Sequence, residues 1–249
     1  MPATPSAELI ELFSSIQGEG LLVGCRQVFL RLPHCNLNCR YCDTDFSSKE
    51  NCLVEEIPGS GNLTSWQNPL TLTRVVDQIR AWKALLPGAH HSLSLTGGEP
   101  LLHVEMLKAW LPELRKELPL YLETNGTLPD ELEQLIEFFD WIAMDIKLWS
   151  QTGEESDWNT HRRFLEIARR TNCYVKIVVG EETPDEELER AARLINEVDE
   201  GIWLILQPVT IEGKVGVSTR RLLAQQGIAA ACHANVRIIP QTHRFMDVM

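Results

Sequence analysis

Seven short apolar runs, separated by segments of helical period, constrain this chain more than any other feature. The runs fall at 27–32, 92–96, 120–123, 141–146, 174–179, 203–207 and 236–239. Between them, apolar residues recur at helical spacing over 73–86 (Val75, Val76, Ile79, Trp82) and 105–118 (Met106, Leu107, Trp110, Leu114). Further helices are expected at 129–139, 162–171, 184–198 and 218–226, with Pro184 in a first turn and Ser218 as a cap. Apolar strands separated by helices predict a parallel sheet with helices packed on it. Six such units fit an incomplete barrel or an open doubly wound sheet, and periodicity does not separate the two. In either, chemistry belongs at the carboxyl ends of the strands. The stretch 47–69, with Gly59, Gly61, Asn62 and two prolines, fits neither period and is long for an idle connection. It reads as an insertion loop, either over the site or apart from it, in an otherwise single domain of residues 1–249.

Function is narrowed first by exclusion. Lys plus Arg number 23 against 35 Asp plus Glu, so the net charge is −12. A surface this acidic is a poor binder of phosphate backbones, and direct contact with nucleic acid is not expected. No apolar run reaches the length of a membrane span, and the first residues lack the basic start of a secretory signal. A cytoplasmic location is expected.

The seven cysteines cannot all pair internally. Three of them, Cys35, Cys39 and Cys42, crowd into CNLNCRYC, a Cys-x3-Cys-x2-Cys pattern. Closed zinc sites take four ligands, usually from two Cys-x2-Cys pairs. Three thiolates on a four-iron cube instead leave one iron open to a small ligand. That spacing is the signature of radical S-adenosylmethionine (SAM) enzymes. Cys173 and Cys232 read as small buried hydrophobes, and Cys25 and Cys52 as spare thiols. A second motif, Thr96-Gly97-Gly98-Glu99-Pro100, follows a predicted strand. Its two glycines permit close backbone approach to a ligand. The pairing resembles the radical SAM superfamily, whose GGE-type loop contacts the methionine amino group.

Further islands narrow the resemblance: Ile16-Gln17-Gly18-Glu19-Gly20 before the first predicted strand, Arg31 at its end, Asp43-Thr44 after the cluster, Gln207-Pro208-Val209, and Gln241-Thr242-His243 near the end of the chain. Together, from about residue 8 onward, they resemble the 7-carboxy-7-deazaguanine synthases. The resemblance implies an α/β fold: a partial TIM-like barrel of about six parallel strands with outer helices. It also implies a homodimer and an external reductant such as flavodoxin or ferredoxin. The implied cofactors are a [4Fe-4S] cluster, SAM and Mg2+. The implied reaction converts the small pterin 6-carboxy-5,6,7,8-tetrahydropterin to 7-carboxy-7-deazaguanine with loss of ammonia, on the route to queuosine in tRNA.

Carried over by position, Cys35, Cys39 and Cys42 match the cluster ligands and Thr44 the magnesium ligand. Tyr41, Asp43, Gly98, Glu99, Asp145, Ile146, Lys147, Gln207, Pro208, Val209 and Thr210 match the SAM side. Ile16, Gln17, Gly18, Glu19, Arg31, Thr96 and His243 match the substrate side. A planar two-pronged Arg31 suits a substrate carboxylate. The chain departs from the pattern at Pro33-His34, where the family commonly has a small residue, often Gly, just before the first cluster cysteine. Two competing functions share part of this evidence. A glycyl-radical activase needs the cluster and the GGE loop but not IQGEG, Arg31 or the QTH tail. A zinc-stabilised binding module is colourless, whereas a four-iron protein is brown.

Overall fold

The computed structural model describes residues 6–42, 45–153, 155, 157–246 and 248. Ten strands form one sheet: β1 (Glu11–Ile16), β2 (Arg26–Leu32), β3 (Asn51–Glu55), β4 (Leu63–Gln67), β5 (Ser92–Gly97), β6 (Leu120–Thr124), β7 (Trp141–Asp145), β8 (Asn172–Val179), β9 (Trp203–Pro208) and β10 (Val236–Ile238). Their spatial order is β10-β9-β8-β7-β6-β5-β2-β1-β3-β4. The seven strands from β2 through β10 that the apolar runs foretold pair in parallel, and the sheet does not close. This is a partial barrel with one strand more than expected.

The longer connections are helices α1 (Leu72–Leu85), α2 (Val104–Leu114), α3 (Trp158–Ala168), α4 (Asp185–Val198) and α5 (Thr219–Ala230). Strand periodicity sorts the two faces of the sheet. On β8, Val175, Ile177 and Val179 join the main apolar core with Trp82, Trp110, Phe164 and Ile195 from the helices. Between them Tyr174 joins a second small cluster with Leu22, Tyr121, Ala143 and Ile205, while Lys176 and Val178 line a cavity. The concave face is thus apolar near the strand starts and polar at the carboxyl ends.

Several boundaries differ from expectation. The IQGEG island stands ahead of the first predicted strand, but a further strand precedes it: Ile16 ends β1, which pairs antiparallel with β2. The 47–69 insertion is not an irregular loop: β3 and β4 pair antiparallel inside it, and β3 adds parallel to β1. Cys52 and Val54 are buried, so the hairpin extends the core at the sheet edge. The helix expected over 129–139 breaks into Pro129–Glu133 and a 3-10 turn Ile136–Phe138. That broken path still buries Leu132, Leu135, Ile136 and Phe139. Helix α3 starts earlier than expected because Asp157 caps it, accepting from the Asn159 and Thr160 amides. Pro184 is the cap of α4 rather than a first-turn residue. Ser218 caps α5 as expected, accepting from the Arg221 amide.

Candidate active site

The cysteine loop leaves the end of β2 and is held against the loop after β5. The Gly98 amide donates to the Leu32 carbonyl at 3.1 Å and the Glu99 amide to the His34 carbonyl at 2.7 Å. A Cβ on Gly98 would sit 1.7 Å from the His34 oxygen, and Gly97 has φ +122 with the Leu32 oxygen 2.1 Å from its missing Cβ. Two glycines are therefore required by backbone against backbone. His34 itself adopts φ 66, the left-handed conformation that a glycine takes at least cost.

Cys35, Cys39 and Cys42 line a cavity of about 130 Å³ together with Gly97, Gly98 and Asn125. Cys42 is exposed and the other two are half-buried. Burial pushes the Cys35 and Cys39 thiols up, and the neighbouring thiols add to the rise at Cys39. A cluster that needs thiolates must overcome that cost by binding. Among the described residues no three carboxylate, thiol or imidazole groups converge on a single ion. Three thiols from one short loop supply the donor type that an iron–sulfur cluster takes.

Beside it lies a cavity of about 1200 Å³ at the carboxyl ends of the strands. Tyr41, Cys42, Thr96, Asp145 and Lys147 border both spaces. Ile16, Gln17, Gly18, Glu19, Arg31, His243, Gln207, Pro208, Val209 and Thr210 line the larger one. The Gln207 amide oxygen is buried there with no hydrogen-bond partner among the described residues, an acceptor that a ligand N–H or O–H would satisfy. The donor set, the glycine cradle and this orphan acceptor together fit a cluster and a polar cofactor.

Charge in the cavity is tightly ordered. Arg31 Nε donates to Glu11 Oε2 at 2.8 Å, which fixes the guanidinium at the wall. Lys147 Nζ lies 2.5 Å from Asp145 Oδ2 and donates to the Tyr41 hydroxyl at 3.1 Å. Lys176 Nζ pairs with Glu19 and lies 3.4 Å from Asp145 Oδ1. Burial alone would raise the Glu19 pKa, but Lys176 and the Gln241 amide outweigh it and hold the carboxyl at about 2. The same opposition holds Lys176 and Lys147 above their usual range: burial disfavours the cations, and the flanking Asp145 carboxylate wins.

Two residues matched to the SAM side, Glu99 and Ile146, are not among those lining either cavity. Glu99 is wholly buried and turned away from both cavities, accepting from the Leu101 amide, the Asn125 amide and the Thr124 hydroxyl. Its carboxylate caps a turn, with these three donors around it. Ile146 points its side chain into the main core, so only its backbone faces the site, donating to the Lys176 carbonyl. Asp43 and Thr44 lie outside the described residues. Sequence reading missed Glu123, Lys176 and Asn125. Glu123 accepts from the Gln17 amide at 2.9 Å, Ser94 at 3.0 Å and Thr96 at 3.3 Å. The available signal was a lone charge at an inward position of an apolar strand, in LYLET and YVKIVV.

The fold and site define the class: the chain belongs to the radical SAM superfamily, whose family profile matches residues 30–195. Within it, the chain belongs to the 7-carboxy-7-deazaguanine synthase family. It is 50% identical to the 7-carboxy-7-deazaguanine synthase of Geobacter sulfurreducens, over 97% of this chain and 98% of that one. It is 36% identical to that of Methanothermobacter thermautotrophicus, again over 97% and 98%. The crystal structure of QueE from Escherichia coli shares the fold with a TM-score of 0.58, at 21% identity over 96% of this chain and 95% of that one. Membership implies a [4Fe-4S] cluster and SAM. No helix among the described residues is long and apolar enough to cross a membrane.

Proposed function

We propose that this chain converts 6-carboxy-5,6,7,8-tetrahydropterin to 7-carboxy-7-deazaguanine, a ring contraction that releases ammonia and feeds queuosine or related deazapurines. The observation that carries the reading is the continuity of a thiol-lined cavity with a larger polar one, at the strand ends where this fold does chemistry. When bound, the cluster supplies one electron and SAM the carbon radical that takes a substrate hydrogen. The protein's own residues bind and orient. Cys35, Cys39 and Cys42 would hold the cluster, and Tyr41, Asp43, Gly98, Glu99, Asp145, Ile146, Lys147 and residues 207–210 would serve the SAM side. Arg31 clamps the substrate carboxylate, Ile16, Gln17 and Gly18 meet the pterin edge, and His243 closes the far side. Glu123 keeps Gln17 and Thr96 in place through its hydrogen bonds. Glu19 serves this site through Lys176.

The reading extends to Mg2+ with Thr44 as its ligand, to a homodimer, to a flavodoxin- or ferredoxin-type reductant, and to a cytoplasmic location. The resemblance supports these four. The test is a product assay on anaerobically reconstituted protein with SAM, Mg2+, a chemical reductant and the carboxypterin. Formation of the deazaguanine acid with one ammonia per turnover and SAM recovered is expected. SAM cleavage with the carboxypterin untouched overturns the substrate, and a colourless protein overturns the class.

A further inference from the structure

We infer that Asn125 is a positioning residue for the cluster: its side-chain amide donates to the Cys35 sulfur and thereby raises the potential at which the cluster takes up its electron. The inference rests on the proposed function in one respect, that Cys35 is a cluster ligand.

Asn125 follows β6 and is almost fully buried. Its Nδ2 donates to Cys35 Sγ at 3.8 Å and to Asn36 Oδ1 at 2.8 Å. Its Oδ1 accepts from the Thr127 amide at 3.1 Å and the Thr127 hydroxyl at 2.6 Å. Thr127 Oγ1 in turn accepts from Asn36 Nδ2 at 2.9 Å. The ring closes with one direction only. The Thr127 amide can donate and never accept, so the Asn125 oxygen must face it and the Asn125 amino group must face the sulfur. Its backbone is also held, its amide donating to Glu99 Oε2 at 2.7 Å. The Leu37 amide adds a second donor to the same sulfur at 3.5 Å. The arrangement thus aims a rigid N–H dipole at one ligand.

The consequence follows from charge. One electron from an external low-potential carrier makes the cluster and its thiolates more negative, and no proton need move. A fixed donor stabilises the more negative form more strongly, so the oxidised-to-reduced balance shifts toward reduced. Asn125 acts through Cys35 and touches neither substrate nor, by this argument, SAM.

The test is an EPR-monitored redox titration of anaerobically reconstituted wild type, Asn125→Leu, Thr127→Val and Thr127→Ser, with iron and sulfide counted in each. Asn125→Leu keeps the approximate size and removes the donor. Thr127→Val keeps the shape but removes the hydroxyl that orients the amide, and Thr127→Ser restores it. Expected is about a tenfold lower reduced-to-oxidised ratio at fixed applied potential in Asn125→Leu, equivalent to about 59 mV more negative for one electron. Thr127→Val should shift the same way by less, and Thr127→Ser should match wild type. Equal potentials in all four proteins at full iron content overturn the inference while leaving the proposed function standing. Should Asn125→Leu fail to hold iron, the Thr127 pair decides: a shift in Val that Ser abolishes supports the inference, and no difference overturns it. A wild type that binds no cluster sinks the proposed function, and the inference with it.

Discussion

At the scale of single residues, the site is a set of charges whose worth depends on their neighbours. Glu11 occupies the Arg31 Nε, and among the described residues both Nη groups remain for a carboxylate. Arg31→Ala should therefore raise KM for the carboxypterin roughly ten- to a hundredfold, the equivalent of a charge-assisted bond of about 1.5–3 kcal/mol, with iron content unchanged. An unaltered KM would remove the clamp. Glu19 was legible as part of IQGEG, but its buried partner was not, since Lys176 lies 157 residues on. The pair predicts a pH effect. The Glu19 carboxyl is held at about 2 against an ordinary 4.5, so its stabilisation is complete above about 4.5 and is lost as pH falls through about 2. Urea midpoints across that window should fall more steeply for wild type than for Glu19→Gln, by about 3 kcal/mol in total. Parallel curves would show that Glu19 gains nothing from Lys176. Asn125 had no sequence signal, because an Asn after a strand also suits an ordinary turn.

At the scale of elements, the long apolar strands and capped helices were readable because each satisfies its period locally. The strands β1, β3 and β4 were not. ELFSSI carries two serines and a glutamate, yet Ser14 and Ser15 are both buried, on opposite faces of the sheet. Ser14 meets His90 at 2.9 Å and its amide donates to buried Glu55 at the end of β3, so tertiary partners supply what the pattern lacks. Glycines show the same division. Gly98 is fixed by a backbone oxygen 1.7 Å from where its Cβ would be, whereas Gly227 lies inside α5 with nothing within 4 Å. Gly98→Ala should cost at least about 1–3 kcal/mol and lower the iron bound per chain, since the cysteine loop must move. Gly227→Ala should stabilise by about 0.5–1 kcal/mol and raise Tm by a few degrees. Calorimetry and iron assay on the two variants check both signs, and equal effects would refute the distinction.

At the scale of the whole molecule, one chain carries three thiols for metal and four others that must not compete for it, of which Cys52 is buried. The CNLNCRYC spacing made the three legible, while the fate of the rest depends on burial that spacing does not encode. Cys52 sits at the sheet edge with no exposure, and burial pushes its thiol up to about 12; Cys173 at the start of β8 is raised to about 12 for the same reason. At pH 8 such thiols hold roughly one thiolate in ten thousand, and the thiolate is the reactive form. Cys42 is exposed and Cys35 and Cys39 are partly so. Alkylation of metal-free folded protein, followed by peptide mass spectrometry, should therefore mark exposed Cys42 first, reach Cys173 slowly and reach Cys52 only with denaturant. Reconstitution should then protect Cys35, Cys39 and Cys42 while leaving Cys52 and Cys173 as slow as before. Rapid labelling of Cys52 in the folded chain would mean that the β3–β4 hairpin opens readily and is not a fixed edge of the sheet. Continued labelling of Cys35, Cys39 and Cys42 in brown, iron-loaded protein would mean that other ligands hold the metal.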